Sequence, residues 1–220
     1  VLARLVDKNK LKLIRSGILI KRYDELASAT PARKEDGKTH IFCPRAMAPL
    51  YNTDLVVAAV EQLSANQPER SFHLHLINDR PDSDFAKQVV AQVANSTIAD
   101  SVTFSPLLDL PGLVKAHLHA DVVVMMPKSD GTPNTAIEAM LLERPMVMGA
   151  LDYDPDLFGP NLVWRTTEDT ANGMTAALET VLATPAEKRS EKLKRAREAA
   201  IKGASLEVSL NEIEEIYAKL

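Results

Sequence analysis

The sequence predicts a doubly wound α/β domain, a mainly parallel sheet flanked by helices in a Rossmann-like arrangement. From His40 to Ile201, short apolar runs bounded by turn residues alternate with stretches of helical spacing. That alternation builds parallel sheets through right-handed crossovers. Asp121–Met126, closed by Pro127, is apolar after its first residue, the pattern of a strand buried on both faces. The chain has 220 residues, 45% hydrophobic and 25% charged, enough for one sizeable soluble core and unlike a disordered segment.

Residues 1–38 form a junction segment. Val1–Arg15 alternates basic and apolar residues, Ser16-Gly17 interrupts it, and Ala27–Lys38, with Pro31 and Gly37, is a surface loop. The domain proper covers 39–205. His40–Cys43 is a strand stopped by Pro44, and Thr53–Leu63 is a helix with Leu55, Val56, Ala59, Val60 and Leu63 on one side and Asn52 or Thr53 as cap. Ser71–Ile77 is a strand ended by Asp79-Arg80-Pro81-Asp82, and Asp84–Ala94 is a helix carrying Phe85, Val89, Val90 and Val93. Val102–Phe104 is a strand, Leu110–His119 a helix, Asp121–Met126 the buried strand and Pro133–Leu142 a helix. Met146–Met148 and Leu162–Trp164 are further strands, and Asp169–Leu182 and Glu187–Ile201 are amphipathic helices. The terminal helix, 206–220, carries an apolar stripe of Leu206, Leu210, Ile213 and Tyr217. It either docks on its own domain or packs on an amino-terminal domain outside this chain.

Composition excludes several roles. With 26 Lys+Arg against 30 Asp+Glu, the net charge is −4, so no general attraction holds a nucleic-acid backbone. Cys43 is the only cysteine, which rules out a disulfide framework or a multi-cysteine metal site. No apolar run approaches the roughly 18 residues of a membrane span, and the basic, interrupted amino end is not a signal peptide. A cytoplasmic location is expected. The chain begins with Val1, not Met, so it is expected to be a piece of a longer protein.

The segment from Ala120 to Met140 carries the chemistry. A buried strand leads to the turn Lys128–Gly131, and a helix follows with Thr132 as cap and Pro133 as first helical residue. Its amino end then lies at the carboxyl edge of the sheet, where open α/β sheets bind ligands. The N–H groups of Asn134, Thr135 and Ala136 and the positive end of the helix dipole favour a phosphate or diphosphate there. Gly131 lets backbone approach a ligand closely. Asp130 and Glu138 bracket the turn, and Glu138 shares a helix face with Asn134. Such carboxylates accept sugar hydroxyls. The alternative is a plain capped helix with Glu138 on a solvated face.

Asp130–Met140, DGTPNTAIEAM, followed by Glu143-Arg144-Pro145-Met146-Val147, resembles the carboxyl-terminal signature of the group-1 retaining glycosyltransferases of the GT-B fold. Ser16-Gly17-Ile18 with Tyr23 resembles their domain junction. Arg45 stands after the first strand where that family has Gly-Arg, Asn78-Asp79-Arg80-Pro81 stands for a Gly-Asp-Gly-Pro turn, and Ala120-Asp121 precedes the buried strand. The resemblance covers roughly residues 10–185. It departs from the family pattern at Asp130, where Glu is usual, and at Leu50-Tyr51-Asn52, where the usual Lys is replaced.

The resemblance implies the donor-binding half of a hexosyltransferase-type enzyme of carbohydrate biosynthesis. Its donor is a UDP- or GDP-sugar, and it needs neither cofactor nor metal. Arg45, helped by Lys128 and the N–H groups of 134–136, stabilises the leaving diphosphate. Asp130 holds the sugar, Glu138 the ribose, and backbone around Ser105–Leu107 the base, with Gly131 and Thr132 lining the site. The acceptor, a lipid-linked or peripheral membrane one among the options, belongs to a separate amino-terminal domain, so this chain alone is expected to be inactive. The alternatives are a non-catalytic GT-B-like interaction domain and a nucleotide-sugar epimerase or phosphorylase.

Other constellations have plainer readings. His117 and His119 diverge on a helix and are expected at the surface or an interface, not on a metal. His73 and His75 share a packed or hydrogen-bonded sheet face, and Cys43 is a small core residue. Asp152, Asp154 and Asp156 form a solvated or donor-flanking loop without the offsets of a calcium site, and Lys188–Arg197 is an exposed mixed-charge helix.

Overall fold

The computed structural model describes Lys12 and residues 14–218. Within them the strands are β1 (Lys38–Ala46), β2 (Ser71–Ile77), β3 (Val102–Ser105), β4 (Val122–Met125), β5 (Met146–Met148) and β6 (Trp164–Arg165). They form one six-stranded sheet in the order β3-β2-β1-β4-β5-β6, parallel at every pairing. The expected doubly wound sheet is present, and the order reverses between β1 and β4. That reversal opens a crevice at the carboxyl ends of those two strands.

Alternation along each strand sorts the core into two layers. Ile41, Cys43, Leu74, Leu76, Val122, Val124 and Val147 face α2 (Thr53–Asn66), α3 (Asp84–Ala94) and α7 (Ala171–Ala183). Phe42, Val123, Met125, Met146 and Met148 face α4 (Leu110–His119), α5 (Asn134–Leu141) and α8 (Ala186–Ala204). β4 and β5 are buried throughout, which is why Asp121–Met126 carries no polar alternation. Cys43 is fully buried, and burial pushes its thiol up to about 11.

Side-chain caps close the start of several helices, though Asn52, at the start of α2, makes no such hydrogen bond. Ser83 caps α3 by accepting from Ala86 N–H, Asp109 caps α4 through Gly112 N–H, and Thr170 caps α7 through Gly173 N–H. No helix among the described residues is long and apolar enough to cross a membrane.

Several expectations need correction. Residues before β1 contain a helix, α1 (Ile20–Ala29), which takes in the start of the loop expected from Ala27; Ile20, Leu26 and Ala27 pack on the core and Tyr23 is buried. A short α6 (Pro155–Phe158) occupies the segment expected as a solvated or donor-flanking loop, with Asp154 as its cap; Asp154 and Asp156 both hold Arg15, at 2.7 and 3.3 Å. β1 does not stop at Pro44 but runs to Ala46, with a register shift between Cys43 and Ala46; a bulge accommodates the missing proline N–H. The last strand is Trp164–Arg165 rather than Leu162–Trp164.

The final helix, α9 (Leu206–Tyr217), is tied to the junction segment. Ile18 N–H donates to Ala204 C=O at 2.9 Å, Leu206 N–H to Ile18 C=O at 3.0 Å, and Ser209 Oγ to Arg15 C=O at 2.9 Å. Of the expected stripe, Leu210 and Tyr217 are exposed. The alternation over Val1–Arg15 falls mostly outside the described residues, as does the end of the last helix at 219–220.

Candidate functional site

Arg45 leaves the bulged end of β1 and reaches across the switch-point crevice. Its guanidinium lies 4.1 Å from the centroid of the Tyr51 ring, a cation–π contact. One terminal nitrogen donates to Asp130 Oδ2 at 2.9 Å, and the other approaches Thr135 Oγ1 at 3.5 Å. Arg45 and Asp130 are each 16% exposed at the side chain, so the pair is only partly screened by water. The Arg45 Nε is buried and has no partner among the described residues. Tyr51 lies in the stretch Leu50-Tyr51-Asn52 where the family resemblance expects a lysine, and its ring supports the arginine.

The turn after β4 presents Asp130 through the backbone. Asp130 Oδ1 accepts from Gly131 N–H at 2.8 Å, so both oxygens of this acid are engaged. The position where Gly131 would carry a side chain has no neighbour within 4 Å, and the turn is open on that side. Lys128 is exposed; its backbone N–H donates to Leu50 C=O at 2.8 Å, linking the turn to the segment before α2.

The start of α5 differs from the sequence reading. Thr132 is not the cap and Pro133 is not the first helical residue. Pro133 has φ −72° but ψ 115°, so it occupies the extended cap position, and the helix begins at Asn134. A proline ring fixes φ and leaves ψ free, which permits either placement. The Pro133 carbonyl accepts from Ala136 N–H at 3.0 Å and Ile137 N–H at 3.3 Å. Ala136 N–H is therefore spent within the helix, leaving the N–H groups of Asn134 and Thr135 for a ligand.

Glu138 is not on a solvated face. Asn134, one turn earlier, is exposed, whereas Glu138 is buried. Its Oε1 accepts from the Tyr23 hydroxyl at 2.8 Å, and His117 Nε2 lies 3.5 Å from its Oε2. The expectation of a surface or interface position for His117 fails as well: the residue is fully buried, with its ring edge-on to Phe42 at 5.3 Å. Glu138 is enclosed by Tyr23 from α1, and His117 lies between Phe42 of β1 and Glu138 of α5. Burial first, and Glu138 second, push the Tyr23 phenol above its usual range.

The loop after β3 is partly committed. Ser105 Oγ pairs with His75 Nε2 at 2.7 Å, and its carbonyl accepts from Asn78 N–H at 2.7 Å, whereas Leu107 is exposed. His73 likewise pairs with Thr103 Oγ1 at 2.9 Å, so this face is hydrogen-bonded as the sequence suggested.

Tyr153, which sequence reasoning missed, belongs to this region. It is 4% exposed and its hydroxyl has no partner among the described residues. Burial, and after it the charge of Asp130, push its phenol above the ordinary value. Arg165 sits 4.8 Å from its ring centroid. No local sequence signal marks Tyr153; only the return of the chain after β5 brings it near Asp130.

A cavity of about 400 Å³ lies between α4 and β1–β2, lined by Phe42, His75, Leu108 and Ala116 among others, and none of the predicted site residues borders it. Among the described residues, no group of three or more His, Cys, Asp or Glu side chains is placed to hold a metal ion.

A family model described as "Glycosyl transferases group 1" matches residues 37–184. No curated protein matches the sequence at a significant level. Among solved structures, a glycosyltransferase from Rickettsia africae superposes with a TM-score of 0.81 at 16% identity, covering 98% of this chain and 58% of that one. Alr3699/HepE from Anabaena, solved in complex with UDP, gives 0.80 at 15% identity over 95% of this chain and 57% of that one. Sucrose-phosphate synthase from Thermosynechococcus elongatus gives 0.77 at 20% identity over 94% and 52%. This chain therefore spans little more than half the length of the proteins whose fold it shares.

Proposed function

Because the chain belongs to the group 1 glycosyl transferases, we propose that it is the donor-binding half of a glycosyltransferase, taking a nucleoside diphosphate sugar and transferring the sugar with retention at the anomeric carbon. The observation that carries this reading is the convergence of Arg45, Asp130 and Thr135, with N–H 2.9 and 3.5 Å from the acceptor oxygens, at the reversal point of the sheet. A cation, two unspent helix N–H groups and a carboxylate meet there, and those are the groups an activated sugar needs.

In this reading the diphosphate settles between Arg45 and the N–H groups of Asn134 and Thr135, with exposed Lys128 as a further cation. The bond from the anomeric carbon to the phosphate oxygen breaks and its electron pair leaves with the diphosphate, while the acceptor's nucleophilic atom bonds to the anomeric carbon and its proton passes to the departing phosphate oxygen. Arg45 and the two N–H groups hold the charge that builds there, and preorganised groups of this kind make the largest electrostatic contribution to catalysis. Asp130, released from Arg45 by the incoming phosphate, accepts hydroxyls of the sugar. Glu138 takes the ribose, and backbone near Leu107 the base. The acceptor is bound by a separate amino-terminal domain; the structural relatives extend well beyond the part that this chain matches.

One observation favours a second reading. Both oxygens of Asp130 are satisfied internally, and the Leu50-Tyr51-Asn52 stretch offers no cation, which suits a domain that keeps the fold as an interaction module. A nucleotide-sugar epimerase or phosphorylase would draw its base from outside the residues described.

Isothermal titration with UDP and GDP separates these readings; UDP comes first because the Anabaena structure contains it. Binding by the wild-type chain that weakens at least tenfold in both Arg45→Ala and Glu138→Ala supports the transferase reading. Absence of binding to either nucleotide overturns it in favour of the interaction module.

A further inference from the structure

Glu138 is a buried acid with two side chains arranged around it. Its carboxylate is 10% exposed, and an acid this enclosed keeps its charge only where donors compensate for lost water. Tyr23 reaches it from α1 and donates to Oε1 at 2.8 Å. His117 reaches it from α4, fully buried, with Nε2 3.5 Å from Oε2. The His117 ring is fixed edge-on by Phe42, and neither ring nitrogen has a hydrogen-bond partner among the described residues.

A buried imidazole with both nitrogens unsatisfied is costly. A shift of roughly half an ångström brings Nε2–H into hydrogen-bond distance of Oε2. An ionised carboxylate has about four acceptor positions. Tyr23 takes one, His117 stands next to a second, and the exposed sliver of Glu138 leaves the others to a ligand.

We propose that Tyr23 and His117 are positioning residues that clamp the Glu138 carboxylate from both sides, orienting its remaining lone pairs toward the vicinal diol of a nucleoside diphosphate. This rests on the nucleotide-binding reading above. It adds that selectivity for a ribose over a deoxyribose resides in a three-residue unit drawn from α1, α4 and α5, and not in Glu138 alone. Neither Tyr23 nor His117 has to touch the ligand. Each acts through the plane in which it holds the acid.

The test compares UDP, 2′-deoxy-UDP and inorganic pyrophosphate by calorimetric titration of the wild type, Tyr23→Phe, His117→Gln and Glu138→Gln, with GDP and 2′-deoxy-GDP run in the same format. Tyr23→Phe keeps the buried ring and removes only the hydroxyl, and a thermal melt reports whether each variant folds. The wild type is expected to prefer the ribonucleotide by about tenfold or more, as for hydrogen bonds to a charged group. Tyr23→Phe and His117→Gln each reduce that ratio by at least threefold while pyrophosphate affinity stays unchanged, a selective effect that general loosening does not produce. A ratio unchanged in both variants but lost in Glu138→Gln overturns the clamp and leaves the nucleotide reading standing. Parallel loss of all three ligands overturns it as well, since the role is then merely structural. A wild type that binds UDP and 2′-deoxy-UDP alike overturns the clamp and leaves the nucleotide reading standing, whereas one that binds no nucleotide overturns both.

Discussion

Replacing Asp130 with Asn should strengthen the binding of a bare nucleoside diphosphate. Arg45 and Asp130 meet at 2.9 Å, a separation giving about 6 kcal/mol of gross attraction at an effective dielectric constant near 20. Most of that offsets the water both groups give up, and about 1 kcal/mol survives as net coupling. A diphosphate that takes Arg45 must break this pairing. Asp130→Asn removes the competing charge while the amide oxygen still accepts from Gly131 N–H, so the turn keeps its shape. UDP is expected to bind about fivefold more tightly, following from about 1 kcal/mol. The extra affinity of a UDP-sugar over UDP should shrink, because the sugar loses its charged acceptor. Calorimetric titration of both ligands at low ionic strength reads both effects, with a melting curve confirming the fold. UDP binding weakened severalfold in a fully folded variant would refute the competition between the acid and the phosphate for Arg45.

Tyr51→Leu removes the ring under Arg45, a contact of about 1 kcal/mol; a roughly fivefold weaker UDP constant is expected, and an unchanged one contradicts the supporting role. A side chain at Gly17 would stand 2.5 Å from Leu206 Cα and 2.7 Å from Ser209 Oγ. Gly17→Ala should therefore cost about 2–3 kcal/mol in urea unfolding and speed hydrogen exchange across α9, whereas unchanged exchange there denies the junction its role. Burial pulls the His75 imidazole down to about 4, below its unfolded value near 6.5. The neutral folded form is favoured, so this contribution is complete above about pH 6.5 and drains away as pH falls toward 4. The melting temperature should drop across that window, less steeply in His75→Gln; equal slopes in the two proteins count against it.

The sheet was legible because its strands are short apolar runs between punctuating residues, and β4, buried on both faces, is the clearest case. What eluded sequence reading depends on contacts far along the chain. The α1 stretch IKRYDELASA mixes charged and apolar residues with no capping side chain, so its helix is stabilised chiefly by Tyr23 and its apolar neighbours against the core. Pro44 reads as a stop, yet the bulge carries β1 past it and thereby aims Arg45 into the crevice. The spacing of Asp130 and Glu138 draws attention to the turn after β4 but does not show that Tyr23 of α1 and His117 of α4 meet at the buried Glu138. Tyr153 carries no local signature, because its place near Asp130 is decided by the fold of the segment after β5.

A crystal structure of the chain soaked with UDP tests the central claim most directly. The account predicts Arg45 turned from Asp130 onto the diphosphate, the N–H groups of Asn134 and Thr135 within hydrogen-bond distance of its oxygens, and the ribose diol on Glu138. A nucleotide bound elsewhere, with the Arg45–Asp130 pair intact, would contradict it.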